Sequence, residues 1–183
     1  NHIGFWDVML NGIYHRNSFT NLSWNLYPLI NQIRFLGIGG YRHALGGSVT
    51  KEFKKGYSLT LDGELNYGFN NEDLRGDIGF RYLYLPKRFA QFHGEYRNNY
   101  EMLNQFTSIA AMFSRSNYIR DIFYSLGHEI EVTNGIYLDF TMEYGQKLPI
   151  TNMKLGRISE LVWSEDVLGD FNTPTDFESY YLF

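Results

Sequence analysis

Residues 57–69 read YSLTLDGELNYGF, with Tyr57, Leu59, Leu61, Gly63, Leu65, Tyr67 and Phe69 alternating against Ser58, Thr60, Asp62, Glu64, Asn66 and Gly68. Successive side chains of a strand point to opposite faces, so this run forms a ribbon with one apolar face and one polar, charged face. A globular strand runs to about 5–6 residues. A strand crossing a bilayer at a tilt needs roughly 9–11. The length of the run therefore carries functional as well as structural information.

The same alternation recurs along the chain. Ile136, Leu138, Phe140, Met142 and Tyr144 oppose Tyr137, Asp139, Thr141, Glu143 and Gly145, and before them Ile122, Tyr124, Leu126, His128, Ile130 and Val132 oppose Phe123, Ser125, Gly127, Glu129 and Glu131. Thr133-Asn134-Gly135 between these runs predicts a tight hairpin, because Asn-Gly supplies the positive φ angles such turns demand. Tyr41, Leu45, Val49 and Phe53 mark an earlier strand, and Lys54-Lys55-Gly56 turns it into the run at 57–69. A turn at 70–75 then leads to a strand over 77–85, and Leu85-Pro86-Lys87-Arg88 leads to another over 89–98. Strands are also expected where Trp6, Val8, Leu10 and Tyr14 oppose Asp7, Met9 and Asn11, around Leu22, Trp24 and Leu26, and over 177–183. Residues 29–47 admit a bulge, a bend or two strands, 102–117 a strand or a short helix, and 167–175 a loop. The expected fold is all-β, an antiparallel up-and-down transmembrane β-barrel of about eight to ten strands in one domain over residues 1–183, whole or part of a larger barrel.

Composition narrows the function classes. The chain has 183 residues with 15 Tyr, 15 Phe and 18 Gly, a set that suits strands meeting a membrane interface, where the ring is buried and the hydroxyl stays wet. The mean hydropathy of −0.33 is that of a soluble protein, but a membrane barrel averages a lipid face with a polar lumen face. No run approaches the roughly 18 consecutive apolar residues of a transmembrane helix. A net charge of −4 argues against nucleic acid as a partner, and the absence of cysteine excludes disulfides and thiolate metal sites. The chain starts at Asn1 without a signal peptide, which points to a processed product or a piece of something longer.

A soluble lipocalin-like or avidin-like barrel would show the same alternation, with the apolar face inside. The many mid-strand charges on the polar faces, the wide, nearly charge-free apolar faces and the absence of a disulfide favour the membrane orientation. A turn centred between Glu72 and Asp73 would set Glu64 opposite Arg81, and the next hairpin would bring Arg81 near Gln91 or His93. A lumen charge network of Glu64, Arg81, His93 and Glu95 is expected, because unpaired charge is costly in a narrow, poorly hydrated lumen.

No catalytic constellation emerges. Ser58, Ser125 and five histidines are present, but no Gly-x-Ser-x-Gly elbow, and Asp77 with His93 fits a lumen network better than a rim protease. Glu129 and Asp139 should face each other across the Asn-Gly hairpin, with Glu131 and Glu143 nearby. Four carboxylates on one face would suit a divalent cation or raise one another's pKa values, and the plainer reading is a hydrated acidic wall. His2, His15, His43 and His128 are isolated, and the glycines at 37–40 and 46–47 lack the Lys-Ser/Thr of a phosphate loop. No cofactor or metal is called for.

Residues 46–106, GGSVTKEFKKGYSLTLDGELNYGFNNEDLRGDIGFRYLYLPKRFAQFHGEYRNNYEMLNQF, resemble the middle of Bacteroidota outer-membrane barrel proteins of uncharacterised function that carry an N-terminal carboxypeptidase-regulatory-like domain. The shared features are a glycine-rich strand, a strand ending Tyr67-Gly68-Phe69, an acidic-basic turn and an aromatic alternation; SRSNYIRDIFY and TDFESYYLF are also similar. The resemblance implies a bacterial outer-membrane location, outer-membrane lipid and other envelope proteins as partners, and no catalytic residue to carry over. It also implies a larger barrel, with the last strand continuing past Phe183; the rival is a true terminus there. The expected function is a non-enzymatic, membrane-embedded scaffold or subunit of an envelope assembly. A passive pore and a barrel-rim hydrolase are the alternatives.

Overall fold

Local chemistry sets the strand ends. At Gly135 the backbone has φ of 77°, and Glu131 Oε1 accepts a hydrogen bond from its amide at 2.8 Å, so the Asn-Gly hairpin forms where the sequence places it. Lys54–Gly56 and Pro86–Arg88 are single 3₁₀ turns, with Lys55 and Phe89 in left-handed backbone at φ of 67° and 48°. The computed structural model describes residues 4–37, 40–69, 71–102, 118–150 and 179–182.

Between these punctuation marks the alternating runs form β4 (Gly40–Glu52), β5 (Ser58–Gly68), β6 (Asp73–Leu85), β7 (Ala90–Met102), β8 (Tyr118–Thr133) and β9 (Ile136–Leu148), each of 11 to 16 residues. Shorter strands lie at either side: β1 (Ile13–Asn17), β2 (Leu22–Leu26), β3 (Ile33–Gly37) and β10 (Ser179–Leu182). All pairings are antiparallel and the path is β1-β2-β4-β5-β6-β7-β8-β9-β10, with β3 beside β4. The up-and-down order therefore holds. Among the described residues β1 pairs only with β2 and β10 only with β9, so the sheet is open, and of the two forms expected, a whole barrel or part of a larger one, it does not close on itself.

Strands β2 and β3 are two halves of one position. Leu22 to Leu26 run against Lys51 to Gly47, and Ile33 and Arg34 resume against His43 and Arg42. The Tyr27 amide still donates to the Gly46 carbonyl at 3.0 Å, and Pro28 to Gln32 then leave the ladder through the four-residue helix α2 (Leu29–Gln32). The Gln32 side chain, 1% exposed, replaces the missing ladder: Oε1 accepts from the Gly46 amide at 3.3 Å and Nε2 donates to the Tyr27 carbonyl at 2.5 Å. An inserted helical turn satisfied by a buried amide resolves the region where periodicity admitted three answers.

Two expectations are overturned. The alternation from Trp6 to Asn11 is a helix, α1 (Phe5–Asn11), and only Ile13 onward is strand. The Gly4 amide donates to Asp7 Oδ2 at 2.9 Å, which caps the first turn, and Gly12, at φ of 74° against the Leu26 carbonyl, ends it. Six residues of alternation are too few to outvote a cap at each end. The second correction concerns register. β6 begins at Asp73, opposite Gly68, because Glu72 takes a left-handed φ of 53° and closes the turn early. Glu64 therefore faces Asp77 and Arg81 faces Thr60. A shift of an even number of residues keeps every side chain on its face and changes every partner.

The two faces have opposite burial from that of a soluble core. Leu65, Ile78, Leu126 and Phe140 are 52–66% exposed, whereas Arg42, Asn66 and Asp121 on the other face are 2–4% exposed. On β9 the exposed apolar residues run from Ile136 to Tyr144, eight steps or about 27 Å along the strand at ~3.4 Å per residue. At a tilt of about 40° this projects to roughly 21 Å, close to the ~25 Å apolar band of a membrane barrel. Aromatic rows cross the same face: Tyr96, Tyr124 and Tyr144 are cross-strand neighbours, and Phe92 and His128 lie opposite each other with ring centroids 4.7 Å apart.

Candidate functional site

The polar face carries two groupings. The first is a depression of about 390 Å³ near mid-sheet, whose lining includes Asp62, Arg81, His93, Glu95, Ser125 and Glu129. The antiparallel register explains it. Arg81 lies opposite His93, Glu95 opposite Ser125 and Glu129 opposite both Gln91 and Asp139, so consecutive hairpins stack these residues in adjacent rows. Gly127 faces His93, and a Cβ there would overlap the imidazole, so the missing side chain is what lets His93 lie across β8. Its Nε2 is 3.5 Å from Thr141 Oγ1.

Of the expected lumen network, Arg81, His93 and Glu95 thus share one depression, while Glu64 stands apart. Arg34 Nη2 donates to Glu64 Oε1 at 2.6 Å, reaching across β4. The Glu64 stem passes over Gly46, where a side chain would press on it. Arg97, one further step along β7, is 3.8 Å from Glu95 and 3.7 Å from Asp121, and its guanidinium lies 4.7 Å from the Phe123 ring.

The expected acidic cluster is dispersed into separate tasks. Glu129 and Asp139 do face each other, as the hairpin arithmetic required. Glu129 Oε2, however, accepts from Gln91 Nε2 at 2.6 Å, Glu131 caps the hairpin amide, Asp139 Oδ1 accepts from Thr141 Oγ1 at 3.2 Å, and Glu143 lies opposite Ser125. Among the described residues no three His, Cys, Asp or Glu side chains are grouped so as to hold a metal ion. Of the isolated histidines, His128 Nε2 lies 2.7 Å from Tyr84 Oη, His43 Nδ1 lies 3.4 Å from Tyr41 Oη and His15 packs on Trp24; His2 lies outside the described residues.

The second grouping escaped sequence reasoning. At the end of the sheet where β7 ends and β8 begins, Arg42 Nε donates to Asn66 Oδ1 at 2.9 Å and Arg42 Nη1 to Asp73 Oδ1 at 2.7 Å. Asp73 Oδ2 also accepts from Arg75 Nε at 2.9 Å and from Tyr100 Oη at 2.7 Å. Arg75 Nη1 and Arg120 Nε both donate to Asn98 Oδ1, at 2.9 and 3.0 Å, and the Arg75 guanidinium lies 4.6 Å from the Tyr100 ring. The β6–β7 ladder ends at Gly76 and Asn98, so Asp73 to Arg75 are free of β7 and their side chains join the polar face to Asn98, Tyr100 and Arg120, which hold register positions of the apolar face. Placing Asp73 and Arg75 in a turn, and residues 29–47 in an unreadable stretch, hid this network. The available signal was Asp73 and Arg75 continuing the polar-face parity of Asp77 and Arg81.

In the first grouping the Thr141 hydroxyl lies 3.5 Å from His93 Nε2, and no histidine is among the residues named in the second. The first is a charged depression with one histidine, and the second is a buried arginine-carboxylate lattice that joins β4, β5, β6, β7 and β8. A family model, described as the C-terminal domain of a family of unknown function (DUF5686), matches residues 6–175. No curated protein and no solved structure matches the chain.

Proposed function

The chain belongs to the DUF5686 C-terminal domain family, and from that premise we propose that its sheet is the wall of a transmembrane β-barrel in the bacterial outer membrane, of the Bacteroidota type that its sequence resembles. In this reading the apolar face meets lipid, the polar face lines the lumen, and the protein works as a non-enzymatic scaffold or as a subunit of an envelope assembly. The observation that carries it is the inverted burial: Leu65, Ile78 and Phe140 are 57–66% exposed while Arg42 and Asn66 are 2–4% exposed. In water such a face would leave an apolar area far beyond what a soluble protein normally exposes. In a bilayer it costs nothing, and the backbone groups of the strands between β1 and β10 are already paired.

What favours a scaffold over a pore is the lattice on the lumen side. Arg42, Asn66 and Asp73 fill the polar face with mutual hydrogen bonds, and Gln32 with its helical turn adds material beside Gly46. Charge fixed in a lattice stiffens a wall and narrows a channel.

The native chain contains no cysteine, so single cysteines report cleanly. With the protein reconstituted in phosphatidylcholine vesicles, cysteines at Leu65, Leu126 and Phe140 carrying an environment-sensitive fluorophore should be quenched by brominated acyl chains. Cysteines at Asp62 and Asp139 should be quenched by aqueous iodide instead. Equal aqueous quenching at all five positions overturns the reading.

A further inference from the structure

We infer that the two basic turns Lys54–Gly56 and Pro86–Arg88 form one rim that binds the phosphates of anionic lipid headgroups, at one edge of the apolar face. The inference rests on the lipid-facing reading above and goes beyond it by naming the end of the sheet and the class of lipid. Glu52 pairs with Ser58 and Ser58 with Leu83, so the antiparallel register brings both turns to the same end of the sheet. They also touch: a Cβ added at Gly56 would stand 3.3 Å from Pro86 Cγ. Lys54, Lys55, Lys87 and Arg88 are all exposed on this joined surface.

The four cations have no carboxylate of their own. Among the described residues none of them is in a salt bridge. The carboxylates of the flanking strand ends are engaged elsewhere: Glu52 lies 2.8 Å from Arg16, Glu129 accepts from Gln91 and Glu131 from the Gly135 amide. The opposite end of the sheet differs, since Arg42 and Arg75 there are both bonded to Asp73. Like charges gathered on two touching turns repel one another, so an anion beside them lowers their energy. The outward face next to the turns points to the source of that anion. Phe53, Tyr82 and Phe92 are 39–45% exposed there, and Tyr84 Oη lies 2.7 Å from His128 Nε2. Rings with an apolar body and a wet edge settle at the headgroup level of a bilayer. Lys54 follows Phe53 directly and Lys87 stands three residues beyond Tyr84, so the cations reach the depth of the lipid phosphates. Free phosphate would satisfy the charges alone. An anionic lipid surface satisfies the charges and the aromatic belt together.

Electron spin resonance of the full chain in phosphatidylcholine vesicles tests this, with spin-labelled phosphatidylglycerol and phosphatidylcholine as probes. Phosphatidylglycerol is expected to associate about fivefold more tightly, the factor expected of a basic side chain at an anionic surface. The combined variant Lys54→Gln/Lys55→Gln/Lys87→Gln/Arg88→Gln should remove that preference, and Lys147→Gln, at the other end and paired with Glu101, should leave it unchanged. A fluorophore on Phe53→Cys should be quenched more by the labelled phosphatidylglycerol than by the labelled phosphatidylcholine, and one on Tyr67→Cys, at the far end of β5, equally by both. Equal association of the two lipids with the native chain overturns the proposal. So does a preference that survives in the combined variant or is as strong at Tyr67→Cys, or competition by inorganic phosphate as effective as by unlabelled phosphatidylglycerol. Insertion into phosphatidylcholine vesicles is scored separately for each variant: a chain that inserts without lipid preference sinks this inference alone, and a chain that does not insert sinks the lipid-facing reading.

Discussion

Arg34 Nη2 donates to Glu64 Oε1 at 2.6 Å, spanning β4 from β3 to β5. The contact ties the resumed half of an interrupted strand to the middle of the sheet. Arg34 is about half exposed, so the pair is expected to contribute only about 0.2–1 kcal/mol. A double-mutant cycle of Arg34→Gln with Glu64→Gln, read by denaturant unfolding in detergent, should return a coupling of that size. The same cycle between Glu64 and Arg81 should return a coupling near zero, and a larger value there would refute the register.

Arg42 holds a different rank. Its side chain is 5% exposed and it bonds both Asn66 and Asp73. Removing one partner of a buried pair leaves the other desolvated, at a cost of about 3–5 kcal/mol. Arg42→Leu is expected to lower unfolding stability by that much, and the Asp73→Asn/Arg42→Leu double variant by less than the sum of the singles. Strict additivity would show that the lattice is not cooperative.

Gln32 bridges the strand break through both ends of its amide. Gln32→Leu strands the Gly46 amide and the Tyr27 carbonyl, and each lost partner is expected to cost about 1–3 kcal/mol. Hydrogen exchange should report the loss at the Gly46 amide before the rest of β4 opens. Uniform loosening of the whole sheet would argue that the excursion is not a local unit.

Gly127 and His93 form a size-matched pair across β7 and β8. Gly127→Val pushes against the imidazole and is expected to destabilise the protein by about 1–3 kcal/mol. His93→Ala in the same chain should recover most of that loss. Failure to recover would place the strain in the backbone of β8.

At Gly135 no atom lies within reach of an added Cβ, so any penalty there is conformational. With φ at 77°, Gly135→Val is expected to cost about 1–2 kcal/mol, and Gly135→Asn clearly less, since Asn tolerates left-handed backbone. Equal costs for the two would mean that the hairpin tip changes conformation.

Much of the architecture could be read from alternation, because period two is a local property that each residue reports independently. The runs around Leu61, Phe80 and Phe140 marked their strands, and Asn134-Gly135 marked its hairpin for the same reason: a turn depends on the φ its own residues allow. Alternation over a short span was not enough at Trp6 to Asn11, where Asp7 and Gly12 carried the stronger signal as caps.

Taken by itself, the sequence determined which residues share a face and that the two faces differ sharply in polarity. It determined partners only where a turn could be placed, as at the Asn-Gly hairpin that sets Glu129 opposite Asp139. One left-handed residue, Glu72, closes the β5–β6 turn early and sets Glu64 opposite Asp77, since pairing depends on where a turn closes and a small local angle propagates along the whole ladder. The tertiary structure alone decided that the apolar face is the exposed one, and that Arg42, Asp73, Arg75 and Arg120, drawn from strands far apart in the chain, meet at one end of the sheet. Burial and ion pairing are sums over such neighbours, and no stretch of sequence contains them.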